Sequence, residues 1–213
     1  MAEVPILNVQ PSRAQELAEI VLASVSPRRH ELLTSLGLRV IVVPSNVVEG
    51  NPSGYAPLDL ATFHAGAKVD AVAAREAGRV ILAADTVVDL DGTALGKPRD
   101  QAEAVRMLTA LAGREHVVHT AYSLVDGPTG RRAAETVSTR VRFYPLDRDA
   151  IEAYAATGDP LDKAGAYGIQ GRGAALVERI DGDFYTVMGL PLGRVVRALS
   201  EFGYSLPNAV HSR

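Results

Sequence analysis

Short apolar runs alternate along this chain with stretches whose apolar residues recur at helical spacing. VLAS (21–24) predicts a strand that ends at Ser24. The next segment predicts a helix from Pro27 to Leu36, because Ser26 can cap it, Pro27 suits the first helical position and Gly37 stops it. RVIVVPSNV predicts a second β-rich run ending near Glu49, followed by a polar loop from Gly50 to Pro57. The alanine-rich segment Leu58–Gly78 predicts a long helix that carries Lys68. RVILAADTVVDL (79–90) predicts a strand of nearly continuous apolar residues with Asp85 in its middle. Asp91-Gly92 is a hairpin signal, so TALGKP should return antiparallel and carry Lys97 back towards the Asp85 strand.

The second half continues the alternation. Asp100 and Glu103 form a capping box for the helix QAEAVRMLTALAG, ending at Gly113. EHVVHTAYSLVD and RRAAETVSTRVRFYPL predict a long hairpin around the turn 127–130. A helix capped by Asp147 ends at Gly158, and a glycine-dense loop, DKAGAYGIQGRG, leads into a strand AALVERI. Asp181-Gly182 predicts another hairpin turn, and a last helix runs from Leu192 to Phe202. The hairpins exclude a purely parallel sheet. The expected class is α/β, a mixed and partly antiparallel sheet flanked by helices, in a main domain of residues 19–204 between an N-terminal extension (1–18) and a C-terminal tail (205–213).

Composition narrows the partners. Among 213 residues, 22 basic and 25 acidic side chains leave a net charge of −3, so no overall basic field recruits nucleic acid or an anionic membrane. With no cysteine, disulfides, thiolate metal sites and cysteine nucleophiles are all excluded, and any metal must be held by oxygen or imidazole. MAEVPILNVQPSRAQELAEI lacks the basic leader and long apolar run of a secretory signal, and no apolar segment approaches the roughly 20 residues of a membrane helix. A soluble cytoplasmic protein is expected.

The candidate chemistry begins at VLASVSPRRHELL. A capped helix start beside the guanidinium forks of Arg28 and Arg29 is suited to a phosphate, and equally to a solvated surface helix. Asp85 is a sharper signal: a carboxylate inside ILAADTVV must be paired, hydrogen-bonded or bound to a cation, and reads as a metal ligand or general base, or else as the partner of an arginine or a backbone turn. Lys68 on its helix face and Glu49 at the end of its run are ambiguous alone, a solvated lysine being the default. Lys97 in GKP is not a P-loop lysine, since the spacing is wrong and proline follows it. Gln170, among glycines, could present an amide to a base edge. His116 and His119, three apart in a strand, face opposite sides and are not joint metal ligands; His30, His64 and His211 read as ordinary surface or helix-face residues. Neither G-x-S-x-G nor G-x-G-x-x-G occurs.

Taken together, SVSPRRHELL, AADTVV, LGKP, LAGREHVVHT, DPLDKAGAYGIQG and VMGLPL resemble the Maf family of nucleoside triphosphate pyrophosphatases, in the right order from Val21 to Phe202. The resemblance implies hydrolysis between the α and β phosphates with a divalent cation, Mg²⁺ or Mn²⁺. It also implies two lobes around a cleft, as in the inosine triphosphate pyrophosphatases, and a homodimer. Asp85 matches the catalytic acidic position, as proton acceptor or metal holder, and Glu49 is the second metal position. Ser24, Arg28, Arg29, Lys68 and Lys97 match positions lining the phosphate end. Lys163 in DKAG and Gln170 in GIQG resemble the subgroup acting on dTTP and UTP, with Arg28, Thr86 and Gln170 at positions that tune substrate choice. Val25 replaces a usual glycine or alanine, and Glu49 lacks the aspartate that usually precedes it. A nucleotide-binding regulator of septum formation and a purine, ITP-type pyrophosphatase are the competing readings.

Overall fold

The computed structural model describes residues 14–50 and 54–207. In chain order the elements are β1 (Gln15–Glu16), β2 (Glu19–Leu22), α1 (Pro27–Ser35), β3 (Arg39–Val42), α2 (Pro57–Ala73), β4 (Val80–Leu90), β5 (Thr93–Leu95) and α3 (Gln101–Leu111). They continue with β6 (Glu115–Asp126), β7 (Arg131–Phe143), α4 (Arg148–Ala155), three short 3₁₀ segments between Asp159 and Leu176, β8 (Val177–Asp181), α5 (Phe184–Met188), α6 (Leu192–Glu201) and β9 (Tyr204–Ser205). Seven strands form one mixed sheet in the order β3-β2-β4-β6-β7-β8, with β5 on β4. β1 and β9 make a separate parallel pair that joins the two ends of the described chain. His211 and most of the N-terminal extension lie outside the described residues.

β4 is the strand on which the architecture turns. On one side it pairs antiparallel with β6 over nearly its whole length. On the other, β2 pairs with it only at Ile81–Leu82 and β5 only from Val88 onward, so Ala83–Val87 between them has no strand partner on that side. That open stretch contains Asp85 and Thr86. The two side chains leave opposite faces, as neighbours in a strand must. Ile81, Ala83 and Val87 share the Asp85 face and pack against α2 through Ala61, Ala65, Val69 and Val72. Leu82 and Ala84, on the other face, pack with Leu33, Leu190, Val195 and Leu199. A further apolar cluster, around Val88, Leu108, Phe143 and Tyr167, forms the second lobe beneath α3 and α4.

The sequence signals explain the local geometry. Ser26 Oγ accepts Arg29 N–H with Pro27 inside the first turn. Asp91 and Gly92 both take positive φ (51° and 82°), as a two-residue hairpin with right-handed strand twist requires. Asp100 caps α3 by accepting Glu103 N–H, and the Glu103 carboxylate returns to Arg99 N–H. Gly127 is obligatory at the β6–β7 turn, because a Cβ there would lie 2.5 Å from the Arg79 carbonyl oxygen.

Several boundaries differ from expectation. The first strand ends at Leu22, and the run expected to reach Glu49 stops as a strand at Val42; Asn46 then takes a left-handed φ of 56°. The chain at 174–176 is 3₁₀ rather than strand, with Gly173 so close to the Gly168 carbonyl that a Cβ would lie 2.1 Å from its oxygen. Asp181-Gly182 does not form a hairpin. Asp183 instead caps the five-residue helix α5, accepting Thr186 N–H at 3.0 Å, a helix too short to show periodicity.

His116 and His119 are held apart on opposite faces of β6. His119 meets Ser138 and Asp89, while His116 is buried in the second lobe, edge-on to Phe143 and 2.8 Å from the Tyr167 hydroxyl. Burial pushes the His116 imidazole down to about 4. The unfolded chain therefore takes up a proton near 6.5 that the folded chain refuses until about 4, and stability is lost as pH falls through that window. Denaturant titration at pH 7 and 4.5 should show the parent losing about 2 kcal/mol more across that interval than His116→Phe; equal losses would contradict this.

Candidate active site

The open stretch of β4 forms the floor of a cavity of about 900 Å³ lined by α1, the 43–50 loop, α2, the β5 end, the 159–171 segment and the α5 end. Every candidate residue lines it: Ser24, Arg28, Arg29, Glu49, Lys68, Asp85, Thr86, Lys97, Lys163 and Gln170. They divide into three groups with different electrostatics.

The first group is on the α2 face. Asp85 is 6% exposed, and Lys68, four residues after His64 on α2, is 5% exposed. Lys68 is not the solvated lysine that its helix position suggests: its Nζ lies 2.5 Å from Asp85 Oδ1 and 2.5 Å from Glu49 Oε1. Neither is His64 an ordinary helix-face residue. It is buried, with Nε2 2.7 Å from the Gly50 carbonyl oxygen and Nδ1 3.3 Å from Asp85 Oδ2. Both partners are acceptors, so the protonated imidazole, with a hydrogen on each nitrogen, satisfies the two contacts together. The hydrogen bond to Asp85 accordingly raises the His64 pKa above its ordinary value. For Asp85, burial pushes the carboxyl upward, but the His64 hydrogen bond, the Lys68 ammonium and Arg29 outweigh it and hold the group below the usual carboxylate range. Asp85 is thus a buried, ionised acceptor with the Lys68 ammonium on one oxygen and the His64 imidazole on the other.

The second group is on the opposite face. Arg29 donates from Nε to the Gly189 carbonyl (2.7 Å), from Nη1 to Ser24 Oγ (3.1 Å) and from Nη2 to Thr86 Oγ1 (3.1 Å). Thr86 Oγ1 is also 2.9 Å from Thr120 Oγ1, whose hydroxyl donates to the Thr186 carbonyl. Arg29 therefore joins the α1 start, β4 and the VMGLPL turn, and most of its fork is committed to protein. Burial pushes its pKa down.

The third group is the rim. Arg28 Nη1 pairs with Asp162 Oδ2 at 3.0 Å, and Lys163 Nζ reaches Asp162 Oδ1 and the Asp159 carbonyl at 2.6 Å each. Asp162 links the two lobes across the cleft. Burial raises its carboxyl, and Lys163 and Arg28 more than reverse that, so its pKa is lowered. Gly165, at φ 67°, seats this segment: its N–H bonds the Gly96 carbonyl, and a Cβ would lie 2.8 Å from Val88 Cγ2. Lys97 and Gln170 are exposed at the mouth and have no hydrogen-bond or ion-pair partner among the described residues.

Two carboxylate oxygens that reach one ammonium at 2.5 Å each are at most about 5 Å apart, so Glu49 and Asp85 converge on one cation, here the Lys68 ammonium, and a hard cation held by both would have to share or take that position. Among the described residues no group of three His, Cys, Asp or Glu side chains converges to complete a protein cage. These carboxylate donors would suit Mg²⁺ or Mn²⁺, hard cations that prefer oxygen ligands.

Residues 19–202 match the family model described as Maf-like protein. The chain belongs to the Maf family. Three relatives named dTTP/UTP pyrophosphatase show how closely this Maf chain matches its family. The one from Symbiobacterium thermophilum is 48% identical over 89% of this chain and 97% of its own length. The Dictyoglomus turgidum protein is 46% identical over 88% and 98%, and the Geobacter sulfurreducens protein 49% over 88% and 98%. Among solved structures, a HAM1 protein from Coxiella burnetii aligns at 17% identity over 86% of this chain and 99% of its own, with a TM-score of 0.47.

The sequence alone does not single out His64 or Asp162 as site residues. The signal for His64 was the α2 stripe 60, 61, 64, 65, 68, 69, 72, whose only polar members are His64 and Lys68. The buried charge arrangement makes a stability prediction. Lys68→Met should cost about 3 kcal/mol in urea unfolding, since it leaves Asp85 short of its compensating charge, and Lys68→Met/Asp85→Asn should recover part of that loss. A Lys68→Met protein as stable as its parent would contradict the pairing.

Proposed function

We propose that this chain is a nucleoside triphosphate pyrophosphatase that hydrolyses dTTP and UTP to the monophosphate and pyrophosphate. The observation that carries the reading is the buried, ionised Asp85 at the floor of a cleft rimmed by Arg28, Lys97 and Lys163, in a family whose similar members are named for that activity. Water attacks the α phosphorus, the bond to the bridging oxygen of the β phosphate breaks, and pyrophosphate leaves. A carboxylate has about four lone-pair sites, so with Lys68 and His64 each taking one, Asp85 keeps others with which to orient the attacking water. Its lowered pKa keeps it in the acceptor form at neutral pH. Lys97, exposed at the mouth and without a partner among the described residues, would meet the leaving pyrophosphate. Arg28 and Lys163 would exchange part of their Asp162 contact for phosphate or base, which brings substrate choice to the same rim as Gln170 and Thr86.

Glu49 and Asp85 would hold Mg²⁺ or Mn²⁺ together with the triphosphate. When bound, the cation neutralises charge on the phosphates. The family resemblance further supports a homodimer in the cytoplasm. Among the described residues, no helix is long and apolar enough to cross a membrane.

Incubation with dTTP, UTP, 7-methyl-GTP and ITP in the presence of Mg²⁺ should release monophosphate and pyrophosphate fastest from dTTP and UTP. Asp85→Asn should lower kcat at least 100-fold, on the scale of losing an essential positioned acceptor. Faster turnover of ITP, or none of any substrate, would refute the assignment.

A further inference from the structure

His64 has no role in the reading above except as a donor to Asp85, yet its position does more. Among the described residues it is the side chain that touches both the floor carboxylate and the main chain of the loop carrying Glu49. Nε2 is 2.7 Å from the Gly50 carbonyl oxygen, one residue past Glu49, and Nδ1 is 3.3 Å from Asp85 Oδ2. The start of the loop is tied down by Arg75, which donates to the Pro44 carbonyl at 2.7 Å, and by the Val43 N–H on the Leu22 carbonyl; its far end is held less, by a local Gly50 N–H contact on the Val48 carbonyl. Val48, Glu49 and Gly50 are exposed, and among the described residues the polar side-chain contact of Glu49 is its carboxylate on Lys68. His64 is fixed from behind, since α2 packs on β4 and β6 through Leu60, Ala61 and Ala65, and the Phe63 ring lies 5.8 Å from its own.

We propose that His64 is a positioning residue that straps the Glu49–Gly50 segment to Asp85, so that both carboxylates stay on Lys68 at the phosphate end of the cleft. The strap has two separable halves. One fixes the loop through a main-chain carbonyl, independent of the loop's side chains. The other limits rotation of the Asp85 carboxylate, which Lys68 holds by Oδ1 alone. The kinetic part rests on the pyrophosphatase reading; the structural part does not.

Side-chain amides divide the two contacts. The amide nitrogen of Asn overlays imidazole Nδ1 and that of Gln overlays Nε2. His64→Asn therefore keeps the Asp85 contact and gives up Gly50, His64→Gln does the reverse, and His64→Leu loses both. Each variant is measured for melting temperature, for kcat and KM with dTTP, and for amide exchange of the peptide covering Asn46–Gly50 in the ligand-free protein. The strap predicts faster exchange in His64→Leu and His64→Asn but near-parental exchange in His64→Gln. It also predicts a kcat loss of about tenfold or more in His64→Leu, with the two amides intermediate. Unchanged exchange and kcat within twofold in His64→Leu would overturn it. Should His64→Leu fail to fold, His64→Asn and His64→Gln indistinguishable from each other in exchange would overturn it as well. A parent protein that hydrolyses neither dTTP nor UTP would remove the assigned function while the exchange pattern still decided the strap.

Discussion

The structure depends on one constraint: a carboxylate sits inside an apolar strand and must remain charged. Burying an ion costs several kcal/mol even after relaxation, and the cost is recovered only with well-placed opposite charge and filled hydrogen-bonding positions. Asp85 obtains both from a single helix, since His64 and Lys68 are one turn apart on α2 and meet one oxygen each. The same two side chains reach outward to Gly50 and Glu49, so satisfying the buried charge also organises the loop that covers the phosphate end.

The interruption of β4 pairing makes this charge usable. Had β2 or β5 continued along Ala83–Val87, the strand would be sealed and Asp85 would be a structural ion pair. Because the two neighbours diverge there, opposite faces of one strand open into one cleft: the α2 face brings acceptors and cations, and the α1 face brings Thr86 and the Arg29 latch to Gly189. Arg29 acts mainly within the protein, tying together three segments distant in sequence. Arg28, its neighbour on α1, faces the cleft and reaches Asp162 on the other lobe. Adjacent arginines thus divide between holding the site and facing what enters it.

Much of this was legible in the sequence where local chemistry dominates. The Ser26 cap, the Asp91-Gly92 turn and the isolation of Asp85 among apolar residues all have short-range causes, and each appears in the fold. The mixed sheet followed from the hairpins. What escaped was set by tertiary contact. Taken singly, His64 and Lys68 read as helix-face residues; the α2 stripe puts both in its buried line, and only the partner strand shows why they belong there. Asp162 acquired significance from Arg28, 134 positions away. The helix α5 and the 3₁₀ stretch before β8 are too short to have a period, and Asp181-Gly182 has the composition of a hairpin without a returning strand.

Asp85 stays ionised because Lys68 and His64 compensate its burial, and this compensation is tested most directly by following the side-chain carboxyl carbon of Asp85 by ¹³C NMR as pH is lowered, in the ligand-free protein. The carboxyl should be more than half ionised at pH 3.8, where an ordinary aspartate is half protonated, and its titration should move up in Lys68→Met. Titration at or above 3.8 in the parent protein would contradict the account.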